Sequence, residues 1–351
     1  MKRTEILLVA GAGGVGKTTL SATAAVLSAE AGVSTLVVTV DPARRLGDAL
    51  GVGGLGNRPV KVAGRENLWA AMLDVTASWE AIVSRHAAAE VAERLVVNPF
   101  FRAVADRFPA AQAYAAGEQM ADFVDSGAWD RVIVDTPPSG GGIDFVLAPA
   151  AMRELIGGRL LTWLTGAGIP GRRALYRVTA RPMLRVADSI LGGPLLEDIA
   201  EFMLDLRTLY DGLASRASEV ERHLRAARTV LITTASPTPL REVRRFLDQL
   251  PTASVDPAAV IFNRVLPASW AAAGEPDAVE GIGPASWTAL HDNLARWGAE
   301  ARHEADTRRQ FAASYRVAVA TVPLLTSPPT DLEGLALLAD ASTDLVGALF
   351  G

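Results

Sequence analysis

Short apolar runs recur along the chain, and no regular polar alternation interrupts them. Uninterrupted runs of this length are typical of strands in a parallel sheet that is covered on both faces. The pattern predicts buried strands at Ile6–Ala10, Thr35–Val40, Arg131–Asp135, Thr229–Thr234, Ala258–Asn263 and Val317–Val322.

The segments between these runs carry helical patterns. The stretch Thr18–Ala31 is rich in alanine and is followed by Gly32, a residue type that commonly ends a helix. Strands that alternate with helices favour a sheet with helices on both faces and right-handed crossovers. The predicted fold class is therefore α/β, with a doubly wound, mostly parallel sheet.

Two helical stretches are too long to be simple crossovers. Trp79–Ser126 has breaks at Asn98-Pro99 and at Pro109, and Phe145–Ala227 ends in one helix with an apolar stripe. We expect a single domain over residues 1–351, with a helical subdomain contributed by about residues 79–126 and 145–227. The stripe residues of that last helix are Ile199, Phe202, Leu206, Leu209 and Leu213.

Composition narrows the class of protein. Of the 351 residues, 50% are hydrophobic and 21% are charged, which argues for a large core and against disorder. The net charge of −5 argues against a general nucleic-acid binder. The chain has no cysteine, which excludes thiolate zinc and thiol-bound metalloid sites. The apolar runs are too short for a signal peptide or a membrane span, so we expect a cytoplasmic protein.

The strongest chemical signal lies between the first predicted strand and the first predicted helix. It satisfies the pattern G-x-x-x-x-G-K-[ST], in which glycines let backbone N–H groups surround a phosphate and the helix N-terminus adds positive potential. An incidental glycine-rich turn is the alternative, but spacing and context both favour phosphate binding. The residues concerned are Gly11, Ala12, Gly13, Gly14, Val15, Gly16, Lys17, Thr18 and Thr19.

Within this loop, Lys17 would reach the β- and γ-phosphates, and the Thr18 hydroxyl would be a ligand of Mg²⁺. Two acidic residues end predicted strands nearby. Asp41 could orient or deprotonate an attacking water, or it could merely cap the next helix. Asp135 suits a carboxylate that acts on Mg²⁺, although an aspartate at a strand end is often only a turn residue. The substrate expected from this set is ATP, with Mg²⁺ as the cofactor.

Taken together, Gly11–Thr19, Asp41-Pro42-Ala43 and Asp135–Gly140 resemble the motifs of the ArsA family of anion-transporting ATPases, which includes the ATPase that targets tail-anchored membrane proteins. The resemblance implies that Asp41 is the switch carboxylate that activates water. It also implies that Asn263 recognises adenine and that Pro323 lines the base. By the same resemblance, the chain would work as a dimer that ATP binding and hydrolysis close and open.

The chain departs from the family pattern at Ala12, where relatives carry a second, signature lysine that neutralises phosphate charge as two subunits close. Our hypothesis is that a paralogue supplies this lysine in a heterodimer, with a homodimer as the alternative. Arg44 or Arg45 could instead replace the missing charge. A third possibility is a nucleotide-sensing subunit with little turnover of its own.

The partner or client is open. A membrane-protein client or a transporter is possible, because in targeting relatives the helical insert builds a groove for a transmembrane helix. Packing of the insert within the chain is the alternative, and it applies to the apolar set Leu160, Leu161, Trp163, Leu164, Leu175, Met183, Leu184, Ile190 and Leu191. The histidines lack metal-ligand spacing and are interpreted as ordinary residues at positions 86, 223, 291 and 303.

Overall fold

The computed structural model describes residues 3–41, 43–137, 141–157, 195–272 and 281–351. An eight-stranded sheet runs in the order β3-β4-β2-β5-β1-β6-β7-β8. All neighbours pair in parallel except β3, which is antiparallel to β4. The strands are β1 (Glu5–Gly11), β2 (Thr35–Thr39), β3 (Val60–Lys61), β4 (Leu68–Met72), β5 (Arg131–Asp135), β6 (Arg228–Thr233), β7 (Pro257–Val265) and β8 (Ala318–Pro323).

Residue contacts divide the chain into two compact units, of which the first contains the sheet. It comprises Met1–Met72, Ser126–Ile143 and Ala226–Gly351. Its helices are α1 (Lys17–Glu30), α2 (Arg45–Leu50), α10 (Pro237–Gln249), α11 (Ala268–Ala272), α12 (Pro284–Ser314), α13 (Leu332–Asp340) and α14 (Leu345–Phe350), with a short 3-10 turn at Leu250–Ala253.

Helices cover both faces of the sheet. On one face, side chains of α1, α13 and α14 share a core with buried strand residues such as Val37, Ile133 and Ile261. On the other, Phe311 of α12 packs edge to face on Phe262 of β7, with ring centroids 5.4 Å apart. This two-sided burial explains the uninterrupted apolar runs, and the predicted doubly wound α/β fold is confirmed.

The second unit is helical and comprises Leu73–Asp125 and Asp144–Arg225. The ring of Trp79 packs at its centre against Phe101 and Tyr114, at centroid distances of 5.8 and 5.9 Å. Its helices are α3 (Val75–His86), α4 (Ala89–Val97), α5 (Pro99–Arg107), α6 (Pro109–Asp125), α8 (Leu195–Thr208) and α9 (Tyr210–Ala226), and α7 (Gly141–Gly157) begins in the first unit and continues here.

Two features differ from the prediction. The strands β3 and β4 were not anticipated: β3 has only two residues, both exposed, and β4 lacks a long β-branched run. The predicted single helix through Ile199 and Leu213 is two helices, α8 and α9, which meet at Leu209. The apolar stripe continues across this break, so its spacing alone did not reveal it.

An ion network ties α6 to α9 in the helical unit. The guanidinium of Arg216, largely buried, contacts the carboxylates of Asp122 at 2.6 Å, Asp125 at 2.8 Å and Glu219 at 2.7 Å. Burial by itself would lower the pKa of Arg216, but the hydrogen bonds that it donates to Asp125 and Glu219 and the negative charge of Asp122 raise it above its usual range.

We expect Arg216→Ala to lower the free energy of unfolding by about 1–3 kcal/mol, because it removes the largely buried cation that three carboxylates of α6 and α9 share. Urea denaturation monitored by circular dichroism measures this. Arg225→Ala is the matched control, since Arg225 is half exposed and pairs with Glu221 on its own helix. The control should cost less than about 0.5 kcal/mol. Equal losses of unfolding free energy in the two variants would contradict the stabilising role of Arg216 between α6 and α9.

Candidate functional site

The phosphate-binding loop follows β1 and ends at the first turn of α1. Gly16 is the N-cap of α1 with φ 97°, and Gly14 has φ 75°, both in the left-handed region that favours glycine. A Cβ on Gly16 would lie 2.2 Å from Nδ2 of Asn263, and a Cβ on Gly11 would lie 2.2 Å from the carbonyl oxygen of Ile232. Gly11 and Gly16 are therefore required by both conformation and space, and Gly14 by conformation alone.

Lys17 lies inside the loop and is buried. Its Nζ donates a hydrogen bond of 2.9 Å to the carbonyl oxygen of Ala12. Burial lowers the pKa of Lys17, and the carboxylates of Asp135 and Asp41 oppose that effect. The ammonium is thus held over the loop in an environment poor in water, where its attraction for phosphate oxygens is strong.

Asp135 ends β5 and is fully buried. Its Oδ2 accepts hydrogen bonds from the hydroxyls of Thr18 at 2.7 Å and Thr39 at 2.9 Å. Burial raises the pKa of Asp135 to about 6, although both hydroxyls lower it. Among the described residues, its Oδ1 is buried without a hydrogen-bond partner.

This arrangement fits a magnesium ion. Mg²⁺ prefers oxygen ligands, usually one or two from the protein with water and phosphate completing the set. The Thr18 hydroxyl gives its hydrogen to Asp135, so its lone pairs are available to a cation. The unpaired Oδ1 of Asp135 is an acceptor that bound water or the ion would satisfy.

Asp41 follows β2 at the carboxyl edge of the sheet. Its Oδ1 accepts from the backbone N–H of Ala43 at 3.0 Å, and its own N–H donates to the Thr39 hydroxyl at 3.2 Å. Arg45 approaches it at 3.9 Å but is mostly exposed. The alternative prediction, that Asp41 caps the next helix, is wrong: Arg44 is the N-cap of α2, and Asp41 accepts within the turn that precedes it. The same side chain also borders the cavity described next.

A cavity of about 500 Å³ opens at this edge of the sheet. Of the predicted site residues, Gly14, Gly16, Lys17, Thr18, Thr19 and Asp41 line it. The other lining residues are Arg45, Asp48, Ala49, Thr136, Arg264, Pro329 and Thr330. Phosphate-loop amides, a buried ammonium and a carboxylate thus face one space, which is the arrangement that a phosphorylated ligand requires.

The remaining predicted residues lie outside this lining. Gly11, Gly13 and Val15 belong to the loop, and Pro323 ends β8 beside Val265 of β7. The Nδ2 of Asn263 donates to the carbonyl oxygen of Val15 at 2.7 Å, and its Oδ1 accepts from the N–H of Arg264 at 2.9 Å. In this state the Asn263 side chain supports the loop from behind, and its predicted contact with adenine stays a prediction.

The comparison with known proteins decides the family. Residues 4–275 match the family model described as ArsA_ATPase, anion-transporting ATPase. The chain belongs to this family. The match includes the phosphate loop, Asp41, Asp135 and Asn263, whereas Pro323 lies beyond it.

Several ATPases are similar to this ArsA-family chain at modest sequence identity. An ATPase GET3 of Malassezia globosa is 26% identical over 268 residues, which cover 76% of this chain and 74% of the relative. An ATPase GET3 of Mycosarcoma maydis is 25% identical over 270 residues, with the same coverage of 76% and 74%. A putative arsenical pump-driving ATPase of Halobacterium salinarum is 33% identical over 159 residues, 43% of this chain and 24% of the relative.

Ala12, the position at which the chain departs from the ArsA pattern, is buried and has only 4% of its surface exposed. It borders a second, smaller cavity of about 90 Å³ that is separate in its lining from the first. Glu242, Arg245 and Phe246 of α10 contribute to this lining. Ala12 therefore borders this space together with α10, and a lysine in its place would extend toward the lining residues Glu242 and Arg245.

Sequence reasoning missed several residues that line the main cavity. Arg264 follows Asn263 directly and has φ 58°, an unusual value for a residue other than glycine. No local sequence pattern predicts this backbone conformation. Thr136 belongs to the Asp135–Gly140 motif but was not predicted as a site residue, and its buried hydroxyl has no partner among the described residues. Its position after a strand that ends in aspartate was the available signal.

Several other predictions can be placed only in part. Residues 138–140 of the Asp135–Gly140 motif and the apolar set from Leu160 to Leu191 lie outside the described residues. His86 and His223 approach Glu118 and Asp125 within the helical unit. Within the described ranges, His, Asp and Glu side chains form no cluster of three or more suited to a metal. No helix in the described part of the chain is long and apolar enough to cross a membrane.

Proposed function

We propose that the chain is a Mg²⁺-dependent ATP hydrolase. The observation that carries the proposal is the convergence of Lys17, Thr18 and Asp41 on one cavity, with Asp135 hydrogen-bonded directly behind Thr18. Membership of a family of ATPases supports the same activity. We further propose one ATPase domain over residues 1–351, with about 79–126 and 145–227 as its helical subdomain.

The proposed roles follow from charge and position. Lys17 and the N–H groups of Gly14 to Thr19 would stabilise the charge that develops on the transferring phosphoryl group. Asp41 would orient the attacking water and accept its proton. Thr18 and Asp135 would hold Mg²⁺, which supplies charge neutralisation on the phosphate oxygens when bound. Asn263 would support the loop through Val15 and recognise adenine together with Pro323.

Nucleotide binding would also control how two subunits associate. We propose that a cytoplasmic dimer closes when ATP binds and opens after hydrolysis, as the family resemblance implies. A homodimer and a heterodimer with a lysine-bearing paralogue are the two forms of this proposal. A client with hydrophobic membrane-protein segments, or a transporter, would respond to the change.

A second candidate is a nucleotide-sensing subunit that turns over little ATP alone. The buried methyl group of Ala12 favours it, because no cation occupies the position where relatives have the signature lysine. The variant Ala12→Lys separates the candidates in an assay of the purified chain. Turnover that rises at least tenfold in the variant would support the sensing subunit, and robust turnover that the variant leaves unchanged would exclude it.

Phosphate release by the purified chain tests the hydrolase itself. We expect release with MgCl₂ and none with EDTA. Asp41→Asn should lower kcat by at least about a hundredfold with a KM changed by less than about threefold, because the carboxylate acts on water rather than on ATP binding. Asp340→Asn makes the same chemical change on an exposed helix end and should leave both constants unchanged. Equal kcat in wild type and Asp41→Asn would overturn the assigned role.

A further inference from the structure

The N-terminal half of α12 presents an apolar stripe that lies largely in solvent. Trp287, Leu290, Leu294 and Trp297 follow the spacing i, i+3, i+7 and i+10, which places them on one helix face. The exposed fractions of Leu290, Leu294 and Trp297 are 40, 45 and 50%. Exposed apolar residues that are contiguous, rather than scattered, mark an interaction surface. We call these four residues the α12 stripe.

The fold holds this helix firmly at its other end. Phe311, near the C-terminus of α12, is fully buried against Phe262 of the central sheet. Nearer the middle of α12, Ala301 is buried. Gly298 approaches α11 so closely that a Cβ added to it would lie 3.1 Å from the carbonyl oxygen of Trp270. The helix has 31 residues, or roughly 46 Å at 1.5 Å per residue. The α12 stripe is therefore presented on a helix with a fixed base.

Trp270 of α11 extends the α12 stripe at one end. Its ring packs edge to face on Trp297 at a centroid distance of 5.7 Å, and 38% of its surface stays exposed. The two indoles thus form an exposed aromatic corner. Aromatic corners of this kind are enriched at interfaces, because they bury much area at little cost in conformational entropy.

The order of residues in the α12 stripe is symmetric. Asp292 is the centre of this symmetry: the two leucines lie two residues before and after it, and the two tryptophans lie five residues before and after it. Two such helices packed antiparallel about a two-fold axis would place Trp287 of one copy on Trp297 of the other. Leu290 would then lie against Leu294 in the same way. A two-fold interface requires this self-complementarity, since one patch must fit itself.

Charge favours the same pairing. At 100° per residue, Asp292 and Arg296 point away from the α12 stripe, and the positions that flank it are Ser286, His291, Asn293 and Gly298. None of these is Lys, Arg, Asp or Glu. Two copies could therefore approach without placing like formal charges opposite each other, which would cost stability at an interface.

We propose that the α12 stripe is a homotypic docking surface on which a second copy of this chain packs antiparallel. The stripe begins after residue 275, where the family match ends, and none of its residues lines the ATP cavity. Docking is accordingly independent of ATP chemistry. The exposed parts of the α12 stripe and of the positions that flank it would bury on the order of 1,000 Å² in total, the low end for specific interfaces, so we expect a weak and reversible association.

Sedimentation velocity of the full chain in EDTA without nucleotide tests the proposal. The wild type should form a concentration-dependent dimer, and the double variant Leu290→Glu/Leu294→Glu should weaken it at least tenfold. Leu337→Glu is the matched control, because Leu337 is an exposed leucine on α13 and should leave the dimer unchanged. A wild type that stays monomeric, or a double variant that dimerises as well as the control, would overturn the proposal. Circular dichroism verifies the fold of each variant.

Cross-linking tests the antiparallel register, and the chain suits it because it has no native cysteine. Asn293 flanks the α12 stripe next to the expected two-fold axis, so Asn293→Cys should give a covalent dimer with a short bismaleimide. Arg296→Cys, on the opposite helix face, should not. Cross-linking of both variants, or of neither, would contradict the register. ATP turnover of Leu290→Glu/Leu294→Glu, measured in parallel, keeps the outcome distinct from that of the hydrolase proposal.

Discussion

Replacing Lys17 by alanine is expected to reduce ATP turnover by a factor on the order of 10²–10³. Its ammonium is the buried cation of the phosphate loop, held 2.9 Å from the carbonyl oxygen of Ala12. Low local polarity strengthens its attraction for the charge that develops on a transferring phosphoryl group. Phosphate release under saturating ATP measures the loss.

The chain offers a close control for this substitution. Its only other lysines are Lys2 and Lys61, and Lys61 lies exposed on β3 with its ammonium 5.5 Å from the ring centroid of Trp69. Lys61→Ala makes the same chemical change and should leave turnover within twofold. The nucleotide-free Lys17→Ala protein should unfold at the same or a higher temperature, because burial of Lys17 disfavours its charged form. A variant that keeps wild-type turnover would refute the role of Lys17.

Asp135→Asn should separate stability from activity. The wild-type carboxylate is buried, and burial raises its pKa to about 6 from an ordinary value of 3.8. A difference of that size corresponds to about 3 kcal/mol that the ionised form costs the nucleotide-free fold. The asparagine keeps an oxygen for the hydroxyls of Thr18 and Thr39 but buries an amide, which offsets part of the gain. We expect a net stabilisation of about 1 kcal/mol at pH 7.5 in EDTA.

The pH dependence of unfolding tests whether the ionised carboxylate of Asp135 causes this difference in stability. Below about pH 4 the carboxyl group of Asp135 is protonated in both folded and unfolded protein, so it contributes no penalty. Between pH 4 and 6 the unfolded form ionises first, and this residue's contribution to stability falls as pH rises. Above pH 6 the full penalty is present. The melting temperature of the variant relative to wild type should therefore rise between pH 4 and 6, from below wild type near pH 4, where only the cost of the buried amide remains, to above it at pH 7.5. A difference that does not change with pH would contradict the assignment.

Activity of Asp135→Asn should change in the opposite direction. The variant lacks the negative charge that would hold Mg²⁺ beside Thr18, so turnover should fall at least a hundredfold. Calorimetric titration with ATP should show that MgCl₂ no longer tightens binding relative to EDTA. Asp340→Asn serves as the control for both measurements. A variant that is destabilised at neutral pH and still responds to Mg²⁺ would contradict both expectations.

Local pattern was sufficient for the sheet and for the phosphate loop. The apolar runs around Leu8, Val38 and Val134 predicted buried parallel strands because two-sided burial leaves no place for polar alternation. Local pattern was not sufficient for β3 and β4. The edge strand β3 is short and exposed, and β4 has no β-branched residue that would distinguish it from a helical segment. Such strands are defined by their neighbours rather than by their own residues.

The candidate site shows the same division. Lys17, Thr18, Asp41 and Asp135 were identified because loop spacing and strand ends determine where they lie. Arg264 was not, since no local pattern indicates its left-handed backbone, and its neighbour Asn263 is hydrogen-bonded to Val15, which is far away in the sequence. The position of Ala12 beside the same cavity as α10 likewise depends on the packing of a distant helix. Contacts between distant segments are not encoded in local spacing.

The hydroxyl of Thr39 has a single hydrogen, and it gives that hydrogen to Asp135. Its oxygen can then only accept from the backbone N–H of Asp41, as the 3.2 Å contact shows. The three groups thus form a hydrogen-bond chain with one direction, from the backbone N–H of Asp41 through the Thr39 hydroxyl to the buried carboxylate of Asp135. A cation that draws electron density from Asp135 would weaken the acceptor at the far end and loosen the grip on the segment that carries Asp41. One threonine therefore couples the proposed metal-binding residue Asp135 to the segment of Asp41, the proposed water-activating residue, although the two side chains share no hydrogen bond of their own.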